Sequence, residues 1–260
     1  VDPYLYLDRN TFVHRLDPRT KIILMFGSFI LGMLFMHPLW IAPALVLVLA
    51  HGAVGRVLSN LRRIWWILFM LATMGTILWA LFSGGPTPFL GPIEWEAFLF
   101  GLGSALRINT MIIAGMVFLS TTRNEEIVLG MVKLGVPYRF GFALSTALRL
   151  VPTIAATVVT ISQAQRSRGL DLDSGNAIQR LKKNIPLVVP AFLSTIRSTN
   201  VFGMALDSKG FGARPQRTNY LQVRFGAADV ALLAVLLALL VPGIYMWVLK
   251  LGRIPGLTRF

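Results

Sequence analysis

The chain of 260 residues has no cysteine, which excludes disulfide scaffolds, thiolate nucleophiles and cysteine-ligated metals. Histidine is nearly as scarce. His14, His37 and His51 are far apart in sequence and form no metal-ligand spacing, so no metal site is expected. Charged residues make up only 14% of the chain against 55% hydrophobic, and the mean hydropathy is +0.67. That is too apolar for an ordinary soluble domain, and the alternation of an outer-membrane barrel is missing. Acids are the scarcer sign, 11 against 25 bases, which leaves a net charge of +14. The bases are unevenly spread and few aromatics interleave with them, so nucleic acid is not an expected partner. A membrane face or an acidic protein surface is. No glycine-rich loop ending in Lys-Ser/Thr occurs, so no nucleotide site or other cofactor is expected on this chain. The first twenty residues are polar, without the apolar core of a signal peptide, and the N-terminus is expected to stay cytoplasmic.

What the sequence has in quantity is apolar helical runs, and the expected fold is an all-α polytopic membrane protein with about five transmembrane helices. The first two runs, Ile22 to Met36 and Leu39 to Ala53, are separated by His37-Pro38 and are short against the roughly 20 residues that cross a bilayer. Arg56, Arg62 and Arg63 form a basic shoulder ahead of a third run, Ile64 to Phe82. The loop Ser83 to Pro92 carries no base and faces outward under the positive-inside rule. A fourth run, Ala97 to Leu119, has Arg107 near its middle, where a charge is costly. It is either functional, or it snorkels to the headgroups or pairs with Glu94 or Glu96. The fifth run, Ala227 to Leu249, is the most apolar, with Lys250, Arg253 and Arg259 beyond it.

Residues 121–224 hold fourteen of the 25 bases. Two further apolar runs, Phe140 to Ile161 and Ile185 to Phe202, are interrupted by Pro152, Pro186 and Pro190 and are rich in Ser and Thr. They read as helices at the cytoplasmic interface, with membrane crossing by one or both as the alternative. The expected division is 1–120 for the N-terminal tail and membrane helices, 121–224 for a cytoplasmic helical region, and 225–260 for the last membrane helix.

Those two runs end alike. Leu150-Val151-Pro152 leads to Ser167-Arg168-Gly169, and Leu187-Val188-Val189-Pro190 leads to Ser208-Lys209-Gly210. Glycine can take the left-handed conformation that ends a helix, and a base in the last turn complements the helix dipole, so each copy taken alone is explained by capping. Two copies on one chain also suit two similar acidic pockets on a pseudo-symmetric partner. Arg166, Asp207 and Asp171 flank them. The N-terminal tail ends in His14-Arg15-Leu16-Asp17-Pro18-Arg19-Thr20-Lys21, in which Asp17 and Pro18 mark a helix start and the bases can snorkel at the membrane surface.

The string HRLDPRTK before the first run, with paired base-glycine motifs ending two long helices, resembles the transmembrane coupling subunit (T component, EcfT/CbiQ-like family) of energy-coupling factor transporters. The resemblance covers nearly the whole chain. The family motif is usually Ala-Arg-Gly; here serine replaces alanine in both copies and lysine replaces arginine in the second. It implies a scaffold without catalytic residues. Two ABC ATPase subunits, which carry ATP and Mg, would bind Ser167, Arg168, Gly169, Ser208, Lys209 and Gly210, supported by Arg166, Asp207 and Asp171. A small membrane-embedded substrate-binding subunit would rest on Phe140, Phe142, Leu148, Phe192 and Phe202, unless these pack the two helices on each other. The family's N-terminal motif falls on His14, Leu16, Asp17, Pro18, Arg19 and Lys21. The resemblance further implies vitamin or transition-metal uptake across a prokaryotic cell membrane. The asymmetry of Arg168 against Lys209 points to two unequal sockets and so to a heterodimeric ATPase pair, and Gly130, Gly135 and Pro137 are candidate hinge positions.

Two other functions fit parts of the sequence. Asp171 and Asp173 could hold Mg and a diphosphate in a lipid transferase, but they equally start the next helix or pair with neighbouring bases. A self-sufficient secondary transporter would require repeats in the membrane half, whereas the repeat here lies in the basic region.

Overall fold

The computed structural model describes residues 6–9, 11–83, 86–90, 93–171, 174, 176–213 and 225–249. The chain divides into two compact units, Val1–Pro137 with Val223–Phe260, and Tyr138–Gln222. The protein is an all-α polytopic membrane protein. Among the described residues, five helices are long and apolar enough to cross a bilayer: Leu58–Phe82, Trp95–Thr121, Tyr138–Ser167, Ile178–Ser208 and Ala227–Val248.

In the first unit, α1 (Pro18–Leu34) and α2 (Pro38–Val54) have 17 residues each, about 25 Å of helix. Both start as their sequences direct. The Asp17 carboxylate accepts from the Arg19 amide at 2.9 Å with Pro18 at the first helical position, and the His37 ring accepts from the Leu39 amide at 3.3 Å ahead of Pro38. Helix α3 (Leu58–Phe82) begins before Arg62 and Arg63, so these bases lie on the helix itself and not on a shoulder ahead of it. Beyond α3, the expected loop contains a short antiparallel hairpin of β1 (Pro88–Leu90) and β2 (Ile93–Glu94). It is tied to α4 (Trp95–Thr121) by the Thr87 hydroxyl, which donates to Glu96 Oε1 at 2.6 Å.

Helix α4 packs on α1, α2 and α3, and α1 also receives α5 (Asn124–Lys133) and α8 (Ala227–Val248). Val48, Leu68, Ile113 and Val117 join α2, α3 and α4; Leu24, Leu31, Ala44 and Leu236 join α1, α2 and α8. One α4 face is shaped to the turn between α1 and α2. A Cβ on Gly103 would collide with the Met36 carbonyl oxygen, and one turn later Arg107 Nη2 donates to the Phe35 carbonyl at 2.7 Å. Arg107 therefore satisfies a carbonyl orphaned where α1 ends, and neither Glu94 nor Glu96 is its partner. Outward, α3 presents Trp65, Trp66, Phe69, Met74 and Ile77, all more than half exposed, as a membrane-spanning helix presents to lipid.

Helix α5, read from sequence as part of the basic region, packs with the membrane helices. A Cβ on Gly130 would stand 2.9 Å from Ile22 Cδ1 and 3.0 Å from Pro18 Cβ, so this glycine permits close approach of α5 to α1. That contact fixes Gly130 instead of freeing it as a hinge.

The second unit consists of α6 (Tyr138–Ser167, 30 residues) and α7 (Ala177–Ser208, 32 residues). Both run past their expected bounds, and Pro152, Pro186 and Pro190 lie inside continuous helix without breaking it. The helices meet through Thr153, Ile154 and Thr157 on α6 and Ser194, Thr195 and Ser198 on α7, around a cavity of about 50 Å³. The hydroxyls of Thr157 and Thr195 donate to carbonyls one turn back at 2.9 and 2.8 Å, so these two small side chains meet at the crossing with their polar groups already paired. Past α7, the Phe211 ring lies 4.3 Å from Phe142 and 6.5 Å from Tyr138. The end of α7 is thereby held against the start of α6.

Candidate functional site

The two repeated helix ends fold into the same turn. At the end of α6, the Arg168 amide donates to the Gln165 carbonyl at 3.1 Å, Gly169 to Arg166 at 2.9 Å, and Leu170 to Gln165 at 3.0 Å. At the end of α7, Lys209 donates to Leu206 at 3.1 Å, Gly210 to Asp207 at 2.9 Å, and Phe211 to Leu206 at 3.0 Å. Gly169 has φ +90° and Gly210 φ +67°, the left-handed conformation that a Schellman cap requires. Ser167 Oγ donates to the Gln163 carbonyl at 3.1 Å and Ser208 Oγ to that of Ala205 at 2.9 Å, so each serine closes the last turn of its own helix. Arg166 and Asp207 occupy equivalent places and give their carbonyls to the capping glycine.

Helix α5 supplies an internal comparison. It ends in the same turn, with Gly135 at φ +113°, the Gly135 amide on Val132 and the Val136 amide on Met131, both at 3.1 Å. There the position before glycine is Leu134. The glycines are thus accounted for by helix termination alone, whereas the bases are not. Arg168 and Lys209 are exposed, and neither has a side-chain partner among the described residues. An unpaired base on a rigid, exposed tip can offer all its donors to a carboxylate on another molecule.

Because Phe211 sits on Phe142 near the start of α6, the second tip lies at the opposite end of α6 from the first. The 26 steps of chain from Phe142 to Arg168, at about 1.5 Å each, place the two bases about 40 Å apart along the helix. The remaining sequence-derived positions divide. Phe140 and Phe192 are exposed at 57% and 64%, Leu148 and Phe202 sit near the border of exposure, and Phe142 is committed to Phe211. The Asp171 carboxylate accepts from the Ser174 amide at 3.2 Å and pairs with Lys183 of α7 at 3.2 Å, a turn-to-helix tie. Asp173, Lys250, Arg253 and Arg259 lie outside the described residues.

The N-terminal motif forms a clamp in the first unit, and its bases do not all snorkel. Lys21 is 2% exposed, and its Nζ donates to the carbonyls of His14 and Thr121 at 2.9 Å each and to Glu126 Oε2 at 3.3 Å. All three of its hydrogens are used, and the Thr121 carbonyl is an orphan of the α4 C-terminus. Leu16 is buried at 4%, Pro18 meets Gly130, and Arg19 Nε lies 3.4 Å from Asp17 Oδ1. The Asp17 amide donates to Asp229 Oδ1 at 2.9 Å, while Asp229 Oδ2 accepts from the Gly226 amide at 2.9 Å. Asp229 therefore ties the first helix to the last, across 212 residues. The sequence reading passed over it, although a lone acid in the most apolar helix is a signal. His14 Nε2 bonds the Leu7 carbonyl at 2.9 Å and Nδ1 the Thr11 hydroxyl at 2.7 Å, so the neutral ring is paired at both nitrogens. Burial lowers its pKa, the Leu7 carbonyl pulls the other way, and the Lys21 charge lowers it again.

Comparison with known proteins finds relatives along most of the chain. The family model described as "CbiQ: Cobalt transport protein" matches residues 9–220. The energy-coupling factor transporter transmembrane protein EcfT of Staphylococcus aureus is 32% identical, covering 94% of this chain and 95% of its own. The EcfT protein of Ruminiclostridium cellulolyticum is 31% identical over 86% and 89%, and that of Lacticaseibacillus paracasei 30% identical over 86% and 90%. With α1 to α7 inside the residues that the family model matches and a relative 32% identical over nearly the whole chain, the chain belongs to the CbiQ/EcfT family of transmembrane proteins of energy-coupling factor transporters.

Proposed function

We propose that this chain is the energy-coupling subunit of an ATP-driven importer in a prokaryotic cell membrane, with its N-terminus cytoplasmic. Two ABC ATPase subunits dock on Ser167-Arg168-Gly169 and Ser208-Lys209-Gly210. ATP and Mg belong to those subunits, and the chain itself performs no catalysis and binds no cofactor. A small membrane-embedded substrate-binding subunit rests on the apolar face formed by Phe140, Leu148, Phe192 and Phe202, and the cargo is a vitamin or a transition metal. Helices α6 and α7 then act as a pair of levers that pass closure of the ATPases to the substrate-binding subunit.

The observation that carries this reading is the pair of alike capped, exposed bases, Arg168 at the end of α6 and Lys209 at the end of α7, neither with a side-chain partner among the described residues. A secondary carrier or a lipid transferase has no use for two such tips. The test is Arg168→Ala combined with Lys209→Ala in the complete complex. Losing two charge-assisted contacts is expected to reduce ATPase co-purification by roughly tenfold or more, with the unfolding temperature unchanged. Full retention of the ATPases and of transport overturns the proposal.

A further inference from the structure

Helices α2 and α8 both pack on α1 and leave between them an apolar cavity of about 260 Å³. Its floor is Leu24 and Leu236, both buried; its walls include Leu47 and Val235; its mouth is Phe12 and Val54, each more than half exposed. His51 is the one polar side chain in the lining. The volume has room for roughly eight groups of water size at about 30 Å³ each, which suits a methylene run of that length. One turn of α-helix, about 10 Å across and 5.4 Å long, takes about 400 Å³ and exceeds this volume.

The mouth is also charged. Arg56 follows Val54 by two residues, and the Arg9 guanidinium donates to the Arg56 carbonyl, which brings two exposed arginines to one edge. Neither has an acidic partner among the described residues. Arg56 stands at φ +53°, the only non-glycine in the left-handed region among the described residues. Its amide bonds the Ala53 carbonyl at 2.9 Å and the Val57 amide that of Gly52 at 3.0 Å, the same cap that glycine completes on α5, α6 and α7. A base is kept where the backbone favours glycine, beside an apolar slot at the end of a membrane helix.

We propose that this cavity holds one acyl chain of a membrane phospholipid whose anionic headgroup lies on Arg9 and Arg56. The apolar slot sets the chain and the two guanidinium groups select the charge. The site is distinct from the helix tips and does not depend on their role.

The test is native mass spectrometry of the purified full chain titrated with phosphatidylglycerol or with phosphatidylcholine of the same acyl chains. The expected result is one retained phosphatidylglycerol per chain and a preference of about fivefold or more over phosphatidylcholine. Arg9→Gln with Arg56→Gly, which respects the left-handed backbone, removes that preference. Ala50→Phe fills the slot and removes both lipids. Should Ala50→Phe impair folding, phosphatidylglycerol carrying a photoreactive group in its acyl chain is crosslinked to the unmodified protein, and labelling concentrates on residues 47–54 and 232–236 over the exposed face of α3. Equal binding of the two lipids, indifference to the arginine substitutions, or uniform labelling overturns the proposal. So does crosslinking of Val54→Cys, a unique cysteine in this chain, to another subunit's helix in native membranes.

Discussion

Lys21 shows how one side chain can close a membrane bundle. Its ammonium is buried against the carbonyls of His14 and Thr121 and the Glu126 carboxylate. Lys21→Met keeps the apolar stem but leaves those carbonyls unpaired, and the expected loss is about 2–4 kcal/mol of stability, read as a lower unfolding temperature in detergent. An unchanged temperature would mean that water replaces the ammonium at no cost. His14 predicts a pH effect at the same clamp. Its pKa lies below the ordinary 6.5 in the folded chain, so the unfolded chain binds the proton more readily. Stability is therefore present above that ordinary value and is lost as pH falls through it toward the lowered folded value, then levels off. Thermal unfolding at pH 7.5 and 5.5 should show a smaller pH difference for His14→Gln than for the unaltered chain; equal differences would remove His14 from the account. Asp17-Pro18 was readable as a helix start because capping is local. The burial of Lys21 and the reach of Asp229 were not, since each depends on partners about a hundred residues or more away.

At the scale of elements, four helices end in one hydrogen-bonded turn and differ in what they place there: Arg56 on α2, Gly135 on α5, Gly169 on α6 and Gly210 on α7. Gly169→Ala and Gly210→Ala should each cost about 1 kcal/mol, because a Cβ is forced into the left-handed region, and each should loosen the tip that carries its base. Arg56→Gly should go the other way and stabilise the end of α2 by up to about 1 kcal/mol, measurable as a raised unfolding temperature; a fall would show that the Arg56 side chain contributes more than its strained backbone costs. The pattern of small residue, base and glycine made the two tips visible in sequence, since periodic apolar runs have obvious ends. Arg56 gave no such signal, because nothing in the residue type announces positive φ. The prolines misled for a related reason: Pro152, Pro186 and Pro190 break isolated helices, yet here the surrounding helix carries on through them.

For the whole molecule, the contrast between the two units is one of burial. Helix α4 alone buries thirteen residues, whereas Gly141 and Leu187 are the buried residues among those described in α6 and α7. A pair of helices so open, with Val151, Val159, Val188, Val189 and Val201 all near 60% exposed, is suited to contact with lipid or other subunits more than to folding on itself. The two tips also differ in charge. At equivalent positions the α6 end carries Arg166 and Arg168, the α7 end Asp207 and Lys209, so one tip presents two cations and the other a cation beside a carboxylate. Guanidinium grips a carboxylate by a two-pronged fork that ammonium cannot form, and a socket shaped for one is a poor fit for the other. Unequal sockets on a heterodimeric ATPase pair would then respond unequally to exchange. Arg168→Lys should weaken binding of the ATPase pair severalfold in a detergent titration, while Lys209→Arg should leave it unchanged or weaken it by a different factor. Equal losses from the two exchanges would mean that the sockets are alike, and would favour a homodimer.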